Sequence, residues 1–233
     1  MSYCNLTGSK LPLNLKAVIL LYANLSGLDL SHSILPSQLK GADLSGCNLS
    51  GQDLSQADLS YSNLSQALLT NTTLPKNLSD VNLSGVDLSG RDLSQVNLTR
   101  AILRGTNLSR AQLAKCKMDE ANLEGADLSS SDLTQASLVK ADLTSASLIN
   151  ATTCRTDFTG STLARANFTA VVVNRFTSFQ EAKFDRTLLK GIEEFHAARN
   201  LSVTVCQSCG ESWSSDHQAT TCPHEYKEIK STN

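Results

Sequence analysis

The stretch Ala42-Asp43-Leu44-Ser45-Gly46-Cys47-Asn48-Leu49-Ser50-Gly51-Gln52-Asp53-Leu54-Ser55-Gln56-Ala57-Asp58-Leu59-Ser60-Tyr61 decides the fold. Leucine returns at Leu44, Leu49, Leu54 and Leu59, and this period of five runs through most of the chain. A helix repeats every 3.6 residues and a flat strand every 2, so neither keeps period five on one face. The backbone has to turn a corner in each unit. The residue two before each centre is small at Ala42, Cys47, Ala57, Ala126, Ala136 and Ala141, so it and the leucine both suit an interior. The other three positions are mostly Asn, Asp, Ser, Thr, Gln and Gly, which suit bends and solvent. Four corners close a squared coil of about twenty residues, and stacked coils pair as parallel strands roughly 4.8 Å apart. The expected fold is an all-β solenoid.

One device interrupts the rhythm three times: Leu11-Pro12 before Leu15, Leu35-Pro36 before Leu39 and Leu74-Pro75 before Leu78. Each shortens one side of a coil by a residue, and proline just after the centre presets the tighter bend. Residues twenty apart should stand above one another, so Asp80, Arg100, Glu120 and Lys140 form a column of alternating sign, expected to be a salt-bridged ladder. A second column, Lys76, Gln95, Lys115, Gln135, Arg155 and Arg175, makes one edge mildly basic. Arg91 breaks the rule of small inward residues and is expected to snorkel outward or to meet an acid.

From Cys4 to about Leu189 these units resemble the pentapeptide-repeat family, whose members form right-handed quadrilateral β-helices. The resemblance implies a right-handed quadrilateral parallel β-helix of about nine coils over residues 1–189, a rod of roughly 40 to 45 Å. A capping helix over 190–201 and a small metal-binding tail over 202–233 complete the expected organisation. The helical stripe is Leu188, Ile192 and Phe195, which would lie across the last, otherwise open, strand edge.

The tail is different in kind. Val203-Thr204-Val205-Cys206 reads as a strand entering the turn Cys206-Gln207-Ser208-Cys209-Gly210, and Cys222-Pro223-His224 supplies a thiol and an imidazole further on. Two thiolates two residues apart can hold one tetrahedral Zn²⁺, with Gly210 relieving the turn. Pro223 biases Cys222 toward an extended backbone, which would send Cys222 and His224 to the same side. The expected ligands are therefore Cys206, Cys209, Cys222 and His224. His217 competes for the fourth place, and the stretch resembles zinc ribbons and zinc knuckles. A redox pair is the competing reading of Cys206 and Cys209, without the βαβ pattern that thioredoxin chemistry needs. Four protein ligands would leave no open position for a catalytic water, so the metal would be structural. Trp213 would pack on this module or touch a partner. Cys4, Cys47 and Cys116 fall at small inward positions and read as packing, while Cys154 sits in a weak unit.

Composition narrows the function. The chain of 233 residues carries net charge -2 and 5% aromatics, which supplies neither the basic footprint nor the stacking platforms of a nucleic-acid binder. Its start has no signal-peptide character, and no apolar run reaches the roughly 20 residues of a membrane span. Asn-x-Ser/Thr sequons at Asn24, Asn48, Asn63, Asn82 and Asn107 would crowd the coils with glycans on a eukaryotic secretory route, so a cytoplasmic location is expected. Repeated aspartates and serines signify repetition and not acid-base or nucleophilic chemistry, and His32 stands alone.

The chain therefore reads as a non-enzymatic scaffold or adaptor that docks a protein partner. The Leu-Pro-x-Asn/Gln-Leu interruptions also resemble pentapeptide-repeat type III effectors of enteric bacteria, a second reading that implies export to a host cell. Some of those effectors carry a ubiquitin-ligase lobe, for which some forty residues after Leu189 are too few. A third reading, the DNA-mimicking gyrase protector known in the family, demands strong acidity. Residues 1–190 hold 17 basic and 16 acidic side chains, which speaks against it. Units that begin almost at Met1 leave the first coil uncovered, and an open edge invites a homodimer through that coil.

Overall fold

The computed structural model describes residues 1–192, 198, 202–206, 212–213 and 226–230. Corners come first, because the sequence dictates them locally. Gln52 N donates to Leu49 O at 3.1 Å across Ser50 and Gly51, and Gly51 has φ 73. Positive φ at the third residue is what a type II turn requires. Among the described residues the same conformation recurs at twenty-one non-glycine positions, such as Arg100, Lys115 and Ser130, so something beyond glycine's freedom must hold it. That something is the next coil: Gly51 N donates to Thr70 O at 2.9 Å and Arg100 N to Asp119 O at 2.9 Å.

Between corners the backbone is extended for little more than a residue pair. Leu49 N donates up to Leu68 O at 2.9 Å, and Asn48 N donates down to Leu28 O at 3.0 Å. The residue before each centre therefore bridges two coils in parallel. Such bridges stack into four columns, seen in full from Asn82 (to Ile102, Asn122, Asp142 and Thr162), Asp87, Asp92 and Asn97. The preference for Asn and Asp at these positions has a local cause. Their Oδ1 accepts the N–H two residues on, as in Asp43 to Ser45 at 3.0 Å, Asn48 to Ser50 at 3.1 Å and Asp132 to Thr134 at 2.9 Å.

The interior is a continuous column of apolar plugs. Leu44, Leu49, Leu59, Leu128 and Leu148 are wholly buried, with Ala42, Cys47 and Ala126 beside them. Each leucine removed from water contributes about 1.5–3 kcal/mol. Toward the carboxy end the plugs become phenylalanines: Phe158 stacks on Phe179 with centroids 5.0 Å apart and planes 2° from parallel, and Phe168 meets both edge-on.

Coil length follows the interruptions. Asn5 to Asn24, Asn24 to Asp43 and Asn63 to Asn82 are nineteen-residue steps across the three proline sites, whereas Asn82 to Ile102 is twenty. A step of twenty-one, which the leucine rhythm did not signal, appears at Asp157–Ser178, Thr162–Lys183 and Asn167–Leu188. The added residue lies between the centres Val173 and Phe179.

The end of the coils is closed by backbone pairing. Strand β1 (Ser202–Cys206) pairs antiparallel with β2 (Ser212–Trp213) and with β3 (Tyr226–Lys230), in the order β2-β1-β3. The expected strand into Cys206 is thus present as β1. Ser212 belongs to the sheet and to the coil edge at once: Arg186 N donates to Ser212 O at 2.8 Å, Ser212 N to Thr187 O at 2.8 Å, and Thr187 N to Ser212 Oγ at 3.0 Å. Arg186 is a corner residue with φ 53, so β2 accepts the bond that the next coil would have accepted. Leu188 is bridged to Asn167 and Gly191 turns with φ 69, so residues 188–191 still follow the coil geometry and not a helical stripe. Ile192 is half-buried against the core without helical backbone, and the remainder of the expected helix, except buried Ala198, lies outside the described residues.

Left-handed corners give a clean mutational test. A Cβ on Gly51 would meet nothing within 4 Å, so Gly51→Ala reports backbone conformation alone and should cost about 1–2 kcal/mol in urea unfolding. Gly41→Ala should cost more, because its Cβ would run into the Tyr22 ring.

Candidate interaction surfaces

The repeated carboxylates are structural. Asp29 is held below the usual aspartate value by the Ser31 hydroxyl at 2.6 Å and then by the Ser31 backbone N–H. At Asp53, Asp87 and Asp92 the backbone N–H two residues on leads, followed by the serine side chain, and the direction is the same. A carboxylate so stabilised holds no proton to give, so these groups are poor general acids. Burial pushes the Cys47 thiol up to about 11 and the Cys116 thiol up to about 12, so neither is a nucleophile at neutral pH. Their S–H groups point at Leu25 O and Val96 O, each 3.0 Å away. Cys4 departs from the expectation of an inward packing residue: it is exposed, in the first coil described. His32 is exposed, as its isolation in sequence suggested.

Outward side chains form columns one coil step apart. Arg100 grips Asp80 through two bonds of 2.8 Å, as the alternating column predicts. Glu120 adds only a weaker electrostatic pull on Arg100, and no Lys140–Glu120 pair forms within 4.0 Å among the described residues. The ladder is one rung where four alternating charges suggested three. A pair not foreseen joins Arg104 to Glu124 at 2.7 Å. Below Asp80 the same corner carries Tyr61, Gly41, Tyr22 and Tyr3, and Tyr3 stacks on Tyr22 at 5.1 Å with planes 9° from parallel.

Arg91 neither snorkels to bulk water nor meets an acid. Its Nη1 donates to Leu69 O at 2.9 Å and its Nη2 to Thr72 O. These carbonyls sit just before Leu74-Pro75, and among the described residues no bridge joins Leu68 to Asp87 or Thr73 to Asp92. The proline side has pulled away from the coil above, and the guanidinium spans the gap. Burial lowers its pKa without removing its charge. The separation leaves a cleft of about 370 Å³ lined by Ala67, Leu68, Asn71, Asp87, Ser89 and Arg91. Gln52 repeats this solution at the preceding interruption, donating from Nε2 to Leu30 O, Ser31 O and Ser33 O at 2.9–3.0 Å, where Ile34 and Asp53 form no bridge. Gln52 was legible as a second large polar residue at an inward position, one coil after a Leu-Pro.

Of the tail residues, Cys206 ends β1, and Trp213 in β2 pairs with Thr204. Cys209, His217, Cys222 and His224 lie outside the described residues, as does the Cys206 side chain. Among the described residues no group of three or more His, Cys, Asp or Glu side chains could hold a metal ion, and no helix is long and apolar enough to cross a membrane.

A coil of nineteen to twenty-one residues, bridged on four sides around leucine plugs, defines a repeat solenoid. The chain belongs to the pentapeptide repeat family, whose pattern matches residues 37–74, 77–111, 106–144 and 136–173, in eight copies. Solved structures similar to it include the pentapeptide repeat protein Rfr23 from the cyanobacterium Cyanothece 51142, 28% identical over 51% of this chain and 86% of that one, with a TM-score of 0.41. HetL from Nostoc sp. Strain PCC 7120, involved in heterocyst differentiation regulation, is 27% identical over 83% of this chain and 88% of its own, with a TM-score of 0.35. QnrB1, a plasmid-mediated fluoroquinolone resistance protein, is 20% identical over 82% and 90%, with a TM-score of 0.33. No curated protein matches the chain.

Arg91→Ala leaves Leu69 O with the turn bond from Thr72 N but takes from Thr72 O its guanidinium donor, and should lower stability by about 1–3 kcal/mol in urea titration, against less than about 0.5 for the exposed corner substitution Arg110→Ala. Aspartates depressed in the folded state contribute stability that is complete above the unfolded value, near 3.8, and lost as pH falls through the folded values. Replacing Asp29, Asp53, Asp87 and Asp92 together by Asn keeps the turn acceptor and should flatten the fall of melting temperature below that pH.

Proposed function

We propose that the chain is a non-enzymatic scaffold or adaptor whose rod displays fixed columns of side chains to a protein partner. One observation carries this reading: the recurring aspartates and asparagines are spent on their own turns, so the chemical variety of the rod lies in its outward corner residues. Rigid coil spacing presents those residues about 4.8 Å apart, an extended surface of the kind solenoids use for recognition. The effector reading has less support, because the Leu-Pro interruptions that suggested it act as coil-shortening devices with their own structural partners, Gln52 and Arg91. Near-neutral charge over residues 1–190 still argues against DNA mimicry. A cytoplasmic location is part of the same proposal.

The tail is proposed to be folded by one structural Zn²⁺ on Cys206, Cys209, Cys222 and His224. Strand register supports this. Cys206 is paired with Tyr226, and β2 returns beside β1, so the chain from Cys206 to Ser212 joins two paired strands. His224 is two residues, at most about 7 Å of chain, from the partner of Cys206. Thiolates and a neutral imidazole suit a closed tetrahedral site that fastens a small sheet and performs no reaction.

Elemental analysis of the purified chain should find one zinc per molecule, with Cys206 and Cys209 alkylated only after chelation. Zinc-free protein with these thiols already slow to react would refute the metal reading. Chemical cross-linking in the native host should trap a protein on the rod, and turnover of a small substrate by the purified chain would remove the scaffold reading.

A further inference from the structure

The lengthened coil builds a surface feature that the repeat alone would not produce. The added residue falls between Val173 and Phe179 and is clamped by a polar network. Asn174 Oδ1 accepts from Phe176 N at 3.1 Å and from Arg155 N, one coil below, at 3.2 Å. Thr177 N donates to Asn174 O at 2.9 Å, and the buried Thr177 hydroxyl donates to Thr153 O at 2.7 Å. The bulge is thus tied to two coils. It presents Phe176, 39% exposed, with two cations against its ring: the Arg175 guanidinium lies 4.8 Å and that of Arg155 5.1 Å from the centroid.

Neither arginine has a carboxylate within 4.0 Å among the described residues, unlike Arg100 and Arg104. Among the described residues both cations therefore meet the ring and no hydrogen-bond acceptor for their forked donors. Stacking fixes a guanidinium's plane, so less side-chain entropy is lost when a carboxylate arrives in bidentate geometry. Lys115 continues the same corner two coil steps below Arg155, which extends positive charge along the edge. Arginine beside an aromatic ring is also the composition of binding hot spots.

We propose that Arg155, Arg175 and Phe176 form the docking point of this rod for an acidic segment of a partner protein. Carboxylates of that segment pair with the two guanidiniums, and an apolar side chain between them covers Phe176. Charge complementarity selects this occupant. The proposal rests on the scaffold reading above and adds the place and the chemistry of the contact.

The test uses the full chain and a fluorescent peptide of alternating glutamate and leucine, with its glutamine counterpart and a single-stranded oligothymidine as controls. Fluorescence anisotropy should show salt-sensitive binding of the glutamate peptide only. Arg155→Glu/Arg175→Glu should weaken it at least about tenfold and Phe176→Ala severalfold, while Lys10→Glu at the far end leaves it unchanged. Melting temperatures of all variants separate loss of binding from loss of fold, and Arg155→Lys/Arg175→Lys, which keeps charge but loses the fork, should bind at an intermediate level. Equal binding of the glutamine peptide, undiminished binding by the charge-reversed variant, or tighter binding of the oligothymidine would overturn the proposal. Cross-linking partners retained by the charge-reversed variant would discard this docking point and leave the scaffold reading standing. Absence of partners even with the wild-type chain would discard the scaffold reading itself.

Discussion

Amide groups that bond outside their own coil hold this molecule in shape. At most corners one residue enters the left-handed region, which is unfavourable for any side chain but glycine, and its N–H then points at the coil above. The centre leucine sends its own N–H the same way while its side chain fills the axis. Burial drives the chain inward without direction, and the ladder supplies the direction. Because both demands meet once in five residues, everything between them is free to vary in chemistry but not in position.

That freedom explains how the surface is organised. Asn and Asp before each centre are bound to the backbone two residues later, so they contribute little to recognition despite their number. Corner residues do the opposite: tyrosines at one end, an ion pair in the middle and arginines around a phenylalanine near the other. The rod is uniform inside and zoned outside. Net charge over the whole chain is small, yet local patches of distinct character persist because the lattice keeps neighbours from rearranging.

Much of the fold was readable in the chain because period, inward volume and proline placement are one-dimensional signals. Leu35-Pro36 and Leu74-Pro75 announced short sides, and the nineteen-residue steps follow from them. What escaped reading depends on the coil below. Arg91 stands out as an anomaly, but its partners are backbone carbonyls of the coil below, beside Leu74-Pro75, which no side-chain complementarity advertises. The added residue before Phe179 was hidden because the centres there are Thr153, Val173 and phenylalanines, not leucines. Asp80 and Arg100 met as expected, whereas Glu120 and Lys140 share the column without touching, since alignment brings Cα atoms into register but does not choose rotamers. Of the proposed zinc ligands only Cys206 falls on a described strand, and its pairing with Tyr226 is a relation that spacing could not have revealed.

The two backbone bonds between Ser212 and the last corner carry a consequence for assembly. A stack of parallel coils is in principle a filament seed, since its carboxy-terminal face offers donors and acceptors to the amino-terminal face of another copy, and such head-to-tail contacts do not close on themselves. With Ser212 seated on Arg186 and Thr187, that side of the face is occupied by a strand whose own neighbours run antiparallel, the wrong way to template a further coil. On that side of the last coil, stacking of a further coil is blocked from within the chain.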